Sequence, residues 1–144
     1  MERLKAEQIP TVGLDFMNHD HAEATQQINM LDQLIQQSLA GDINSQKDIE
    51  PLLINMYEHS EAHFAREEAE MVRVNFPAYG CHSDEHKRVL EELTQVLQQW
   101  QQSSDLQQLA NYLDKTLCNW LINHISTMDS VTAMFIGRID QSAA

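Results

Sequence analysis

Apolar residues recur every three or four positions along most of this chain, the period of helices that bury one face. The first such stretch runs from about Asn18 to Leu39, with His21, Ala24, Ile28, Leu31 and Ile35 in one stripe. It stops before Gly41-Asp42, where a glycine can end a helix. The second begins near Ser45-Gln46-Lys47-Asp48, which has capping-box form with Asp in place of Glu or Gln, and Pro51 suits its first turn. It carries Leu52, Met56, His59, His63, Glu67 and Met71. Asn75-Phe76-Pro77-Ala78-Tyr79-Gly80 breaks the pattern, and a third helix then carries His82, His86, Val89, Leu93, Val96 and Trp100 until Gln101-Gln102-Ser103-Ser104. The last segment, roughly Asp105 to Ile139, holds Leu109, Leu113, Leu117, Trp120, Leu121, His124, Met128 and Phe135. No alternating strand pattern competes. Helices joined by a few residues favour antiparallel neighbours, so the pattern predicts an all-α, antiparallel up-down-up-down four-helix bundle over residues 16–144. An irregular N-terminal arm, residues 1–15, precedes it, and there is no internal repeat or second domain.

Composition narrows the class further. The chain has 144 residues with only four glycines and three prolines, enough for one domain that buries about two thirds of its unfolded surface. Twenty-two acidic against nine basic residues give a formal charge of −13, which repels nucleic acid and anionic membrane surfaces. The N-terminal Met1-Glu2-Arg3-Leu4-Lys5-Ala6-Glu7-Gln8 mixes charges where a signal peptide needs an apolar run, and no segment reaches spanning length, so a soluble, cytoplasmic protein is expected. Cys81 and Cys118 form no C-x-x-C pair and read as reduced thiols. Met56, Met71, Met128 and Met134 read as gap-fillers of the core.

The polar residues on the inner stripes change the picture. Residues four apart on a helix are rotated by only about 40°, so His63 and Glu67 share a face, as do His82 and His86. His21 and His124 add imidazoles on the first and last helices. Burying several such groups without partners would cost about 1–3 kcal/mol each, a cost that a metal removes. Imidazole suits Zn, Cu, Fe and Ni, and more than four donors exceed one tetrahedral zinc; a carboxylate-bridged pair of metals uses them all. His59-Ser60-Glu61-Ala62-His63 has i, i+4 histidines, but Ser60 stands where the zincin motif needs its general-base Glu. Cys81 and Glu68 each sit about 100° from the neighbouring ligand and read as facing away.

The combination H-F-x-x-E-E at His63-Phe64-Ala65-Arg66-Glu67-Glu68, an aromatic-Pro connection, H-x-x-x-H at His82 and His86, and H-I-x-x-x-D from His124 to Asp129 resembles hemerythrin, the non-haem di-iron oxygen-binding bundle. Asn18-His19-Asp20-His21-Ala22-Glu23 is similar to the M-N-x-D-H-x-E form of bacterial members, and the likeness spans about Phe16 to Phe135. The resemblance implies two irons with an oxo or hydroxo bridge, one held by His82, His86 and His124, the other by His21 and His63, with Glu67 and Asp129 bridging. It implies an open position on the second iron and reversible binding of dioxygen there. Asp129 comes from the resemblance alone, because it lies about 140° from His124 on an ideal helix; a local π-bulge would bring both to one face.

An apolar oxygen pocket is implied at Ala24, Phe64, Trp120, Leu121 and Ile125, with Ala24 standing where the family commonly has a bulkier aliphatic residue. His19 reads as a solvated residue at the start of the first helix, with a spare-ligand role or a supporting role beside the centre left open. His59, one turn before His63, leaves two readings open: a hydrogen-bonding or proton-handling role beside a ligand, or a filler of the bundle interior. Two other functions compete with oxygen binding. A di-iron oxidase, peroxidase or nitric-oxide-handling enzyme would turn substrate over at the open position; a regulatory module would signal oxygen, NO or iron status. The imidazole-rich donor set favours binding, since oxidation chemistry is favoured by carboxylate-rich centres. The oligomeric state is open.

Overall fold

Four helical columns pack around a core of Met17, Ile28, Leu31, Ile35, Leu52, Leu53, Met56, Leu113 and Ile125, in a computed structural model that describes residues 2–143 and their side chains as far as Ser142. Met1 and Ala144, the outer ends of the expected arm and bundle, lie outside the described residues. The first column is α1 (Asp15–Leu39). A short α2 (Ile43–Lys47) leads into α3 (Ile49–Arg73), and α4 (Tyr79–Ser103) follows. The fourth column is continuous but composite: α5 (Leu106–Tyr112), a π turn (Leu113–Leu117), α6 (Cys118–His124), a second π turn (Ile125–Asp129) and α7 (Ser130–Ala143). No strand occurs among the described residues. The up-down-up-down arrangement follows from the tight connections, with α3 against α1 and α4, and α5 against α1.

The ends of the helices have local causes. At α1, Gly41 takes φ +103°, Gly41 N–H donates to Ser38 O (3.0 Å) and Asp42 N–H to Gln37 O (3.1 Å), the paired bonds of a Schellman ending. Asn75 plays the same part after α3 at φ 55°, with Phe76 N–H donating to Met71 O (2.9 Å) and the two side chains packing together. Asp42, not Ser45, caps the second helical stretch: its carboxylate accepts from Asn44 N–H (3.0 Å) and Ser45 N–H (3.4 Å). Ser45 is itself buried inside α2, so the expected capping box is replaced by a one-turn helix and a fresh start at Ile49. α1 begins at Asp15, one turn earlier than the apolar stripe suggests.

The two π turns have a reason in the sequence. Leu109, Leu113, Leu117, Leu121, Ile125, Asp129 and Ala133 recur at a spacing of four and are all buried. On an ideal helix each step of four drifts by about 40°, so this stripe would wind about 240° round the column. Each inserted residue of a π turn takes back about 100° and keeps the stripe facing inward.

Residues 2–14 lie along α1. Leu4 and Val12 are buried, Asn29 pairs with the Leu4 backbone through both N–H (2.7 Å) and C=O (2.8 Å), and Asn18 does the same for Val12 (2.9 and 2.8 Å). Of the four methionines assigned to the core, Met56 and Met71 are buried, Met128 is half-buried, and Met134 is exposed, because it lies on the outer face of α7 with Val131. Cys118 is buried and Cys81 exposed, and both are free thiols.

Candidate metal centre

Each of the four columns sends at least one ligand-type side chain to a common point nearer the end of the bundle where α1 and α4 begin. α1 supplies His21; α3 supplies His63 and Glu67; α4 supplies His82 and His86; the fourth column supplies His124 and Asp129. All seven are buried. Their donor atoms form two groups, each within 4.8 Å: Glu67, His82, His86, His124 and Asp129 in one, His21, His63, Glu67 and Asp129 in the other. Glu67 and Asp129 belong to both.

The imidazole Nε2 atoms face these carboxylates. His21 Nε2 lies 2.8 Å from Asp129 Oδ2, and His82 and His124 Nε2 each lie 3.1 Å from Asp129 Oδ1. His63 Nε2 is 2.9 Å from Glu67 Oε2 and His86 Nε2 3.1 Å from Glu67 Oε1. His82 and His124 meet Nε2 to Nε2 at 3.3 Å. Asp129 reaches the cluster because the second π turn spans Ile125–Asp129, which puts it on the face of His124 despite the five-residue separation.

A further layer fixes the rings from outside. His63 Nδ1–H donates to Asp20 Oδ2 (2.7 Å), a carboxylate also clasped by Arg66 Nε (3.1 Å) and Nη2 (2.7 Å). His82 Nδ1 is 2.8 Å from Thr132 Oγ1, and His86 Nδ1 is 2.9 Å from Glu68 Oε2. With Nδ1–H committed outward, Nε2 presents its lone pair inward. Glu68 therefore corrects its expected role. It does face away from the centre, but its carboxylate reaches round to hold the outer nitrogen of His86. Asp20 and Thr132 carried no period signal; Asp20 stood only inside the Asn18–Glu23 motif.

Burial pushes the Asp129 carboxyl up, but the imidazoles of His124, His21 and His82 packed against it outweigh that effect and hold the group well below the usual carboxylate range. Glu67 follows the same balance, with His63 and His86 overcoming burial. Burial lowers His63, yet the Glu67 and Asp20 carboxylates on either side of its ring raise it to about 9. Asp20 is lowered by Arg66 and His63 against the opposing effect of burial.

Without a cation the arrangement is unsatisfied. Both oxygens of Glu67, Asp129 Oδ1 and His86 Nε2 are buried and lack a hydrogen-bond partner, at a typical cost of about 1–3 kcal/mol each. Five imidazoles and two shared carboxylates converging on these orphan atoms fit two transition-metal cations side by side.

The residues expected around an oxygen pocket divide. Ala24, Trp120 and Leu121 line a cavity of about 40 Å³ with Ile28, Met56 and Val89. Phe64 and Ile125 do not line it. Phe64 stacks on His86 (centroids 3.9 Å apart) and meets Trp120 edge-on, while Ile125 is fully buried in the core. Trp120 stacks on His124 at 4.5 Å, its indole N–H donating to Glu85 Oε1 (3.0 Å). His19 is exposed and pairs with Glu23 (3.0 Å). His59 stacks parallel to His63 at 6.4 Å, with Nε2 3.2 Å from the Asp20 carbonyl and Nδ1 3.2 Å from Glu23.

Fold and site together define a metal-binding four-helix bundle with a buried His/Glu/Asp cluster. Comparison with known proteins gives the family. The family model described as hemerythrin HHE cation binding domain matches residues 12–136, and the chain belongs to that family. It is 27% identical over 135 residues to the bacteriohemerythrin of Aquifex aeolicus, covering 93% of this chain and 98% of that protein. Over 94 residues it is 30% identical to the bacteriohemerythrin of Ralstonia nicotianae, covering 65% of this chain and 67% of that protein. Among the described residues no helix is long and apolar enough to cross a membrane.

Proposed function

We propose that the chain is a cytoplasmic protein that holds two irons joined by an oxo or hydroxo bridge and binds dioxygen reversibly. The observation that carries this reading is the asymmetry of the two donor groups: both contain Glu67 and Asp129, but one has three imidazoles and the other only His21 and His63. The half with fewer protein donors is where an outside ligand has room. An iron pair supplies two electrons that can be lent to dioxygen and recovered.

The chain's own residues make lending rather than turnover the better reading. His82, His86 and His124 fill one half with neutral donors, and Asp20, Thr132 and Glu68 lock three of the five rings. Phe64 stacks on His86 and Trp120 on His124, and Leu121 and Ile125 are buried in the apolar core, a surrounding that disfavours the water and free protons that would displace a bound ligand. Ala24 is the small residue lining the cavity that it shares with Trp120 and Leu121.

The test is metal content together with the visible spectrum of anaerobically reduced protein before and after oxygen is admitted. Two irons per chain and a charge-transfer band that appears with oxygen and disappears on its removal are expected. Immediate irreversible oxidation would replace the carrier reading with an enzyme or sensor, and one zinc or no metal would sink the di-iron reading.

A further inference from the structure

His19 and His59 are the two histidines that the central cluster leaves out, and both meet the same carboxylate. His19 Nε2 lies 3.0 Å from Glu23 Oε1 on the same helix and His59 Nδ1 lies 3.2 Å from Glu23 Oε2, so Glu23 meets two imidazoles at the surface and links α1 to α3 through His59. They line an open groove with Asp15, Phe16, Asp20 and Arg66. Donor atoms of Asp20, Glu23 and His59 come within 4.8 Å of one another. Asp20 is 4% exposed, and the hydrogen bonds from His63 and Arg66 all fall on its Oδ2, which leaves Oδ1 without a hydrogen bond beside the groove.

We propose that this groove is a second, separate cation site that takes one divalent transition metal of the zinc, copper or ferrous class, held by His59 Nδ1, Glu23 and Asp20, with His19 as an additional imidazole from the rim. The donor chemistry selects the ligand. An imidazole with carboxylates suits borderline cations, whereas Mg²⁺ and Ca²⁺ prefer all-oxygen shells. The charges agree: Asp15, Asp20 and Glu23 against the single cation Arg66 leave the groove about two charges negative, matched to a dication. Rigidity is also provided, since His59 is held by the Asp20 carbonyl and stacked on His63, so one nitrogen remains for the metal. The inference does not depend on which metals fill the central cluster.

The experiment uses the full chain, loaded at its central cluster and freed of excess metal, on a Cys81→Ser background so that the exposed thiol does not compete. Zn²⁺ is titrated calorimetrically, with elemental analysis of bound zinc and retained metal. One extra zinc per chain is expected, with the central metals retained. His59→Ala and Glu23→Gln should weaken that zinc at least tenfold, and His19→Ala less. Glu23 and His19 are surface residues, so these variants keep the fold, and circular dichroism checks it. Co²⁺ in place of zinc should give a visible d–d spectrum that vanishes in His59→Ala. No extra zinc, zinc taken up only as central metal is lost, or equal zinc affinity in His59→Ala and Glu23→Gln would each overturn the proposal.

Discussion

Asp20→Asn isolates what the outer layer contributes to the centre. The Asp20 carboxylate is buried, accepts from His63 Nδ1–H at 2.7 Å and is clasped by Arg66 at 2.7 and 3.1 Å. Asparagine keeps the shape and one acceptor oxygen but removes the negative charge that strengthens the His63 bond. A hydrogen bond to a charged group contributes about 1.5–3 kcal/mol. The loss of an outer carboxylate behind a ligand histidine costs about 10–100-fold in metal affinity, which at about 1.4 kcal/mol per decade is the same range. Asp20 touches His63 and none of His82, His86 or His124, so the loss should fall on one half of the site. Anaerobic titration of metal-free protein with Co²⁺ against a competing chelator, on a Glu23→Gln background that removes the surface groove as a binder, separates the two binding steps of the centre. The expected result is one step as in the wild type and the other about 10–100-fold weaker. Two unchanged steps would refute the positioning role. Two equally weakened steps, with a fall in the stability of the metal-free protein, would show that Asp20 acts on the fold instead.

Three other outcomes follow from the same geometry. Ala24→Ile places a larger side chain at the cavity bounded by Trp120 and Leu121 and should slow the spontaneous oxidation of the oxygenated form, followed in the visible band; unchanged or faster decay counts against a role for this cavity. In metal-free protein His63 is raised to about 9, so its contribution to stability is present in full below about pH 6.5 and is lost as pH rises through about 9. Thermal melts of metal-free protein should therefore lose stability between pH 7 and 9.5, and His63→Gln should flatten that part of the profile; a profile equally steep in the variant would mean another group is responsible. Thr132→Val leaves His82 Nδ1 without its partner in a fully buried site and should cost about 1–3 kcal/mol in denaturant unfolding; a cost near zero would mean that the hydroxyl does not hold the ring.

The alternation of apolar and polar residues was enough to determine four helical columns, because a helix has one period and a stripe such as Ile28, Leu31 and Ile35 has one burial solution. The i, i+4 pairs His63/Glu67 and His82/His86 were legible for the same reason: within a single helix, spacing fixes direction. Direction stops being local where the helix is not ideal. The run of buried positions every four residues from Leu109 to Ala133 carries the signal of an underwound helix, but only the packed column shows where the two extra residues are inserted, and one of those insertions delivers Asp129 to His124. Long side chains add a second escape. Glu68 leaves its helix on the wrong face and still reaches His86, which no wheel of Cβ directions reports. What tertiary structure decided is therefore the set of contacts between columns: Asp20 to His63 across 43 residues, Thr132 to His82 across 50, and the sharing of Glu67 and Asp129 by two donor groups. These depend on the depth at which each helix is docked, and helix depth is set by packing against neighbours rather than by any period within one segment.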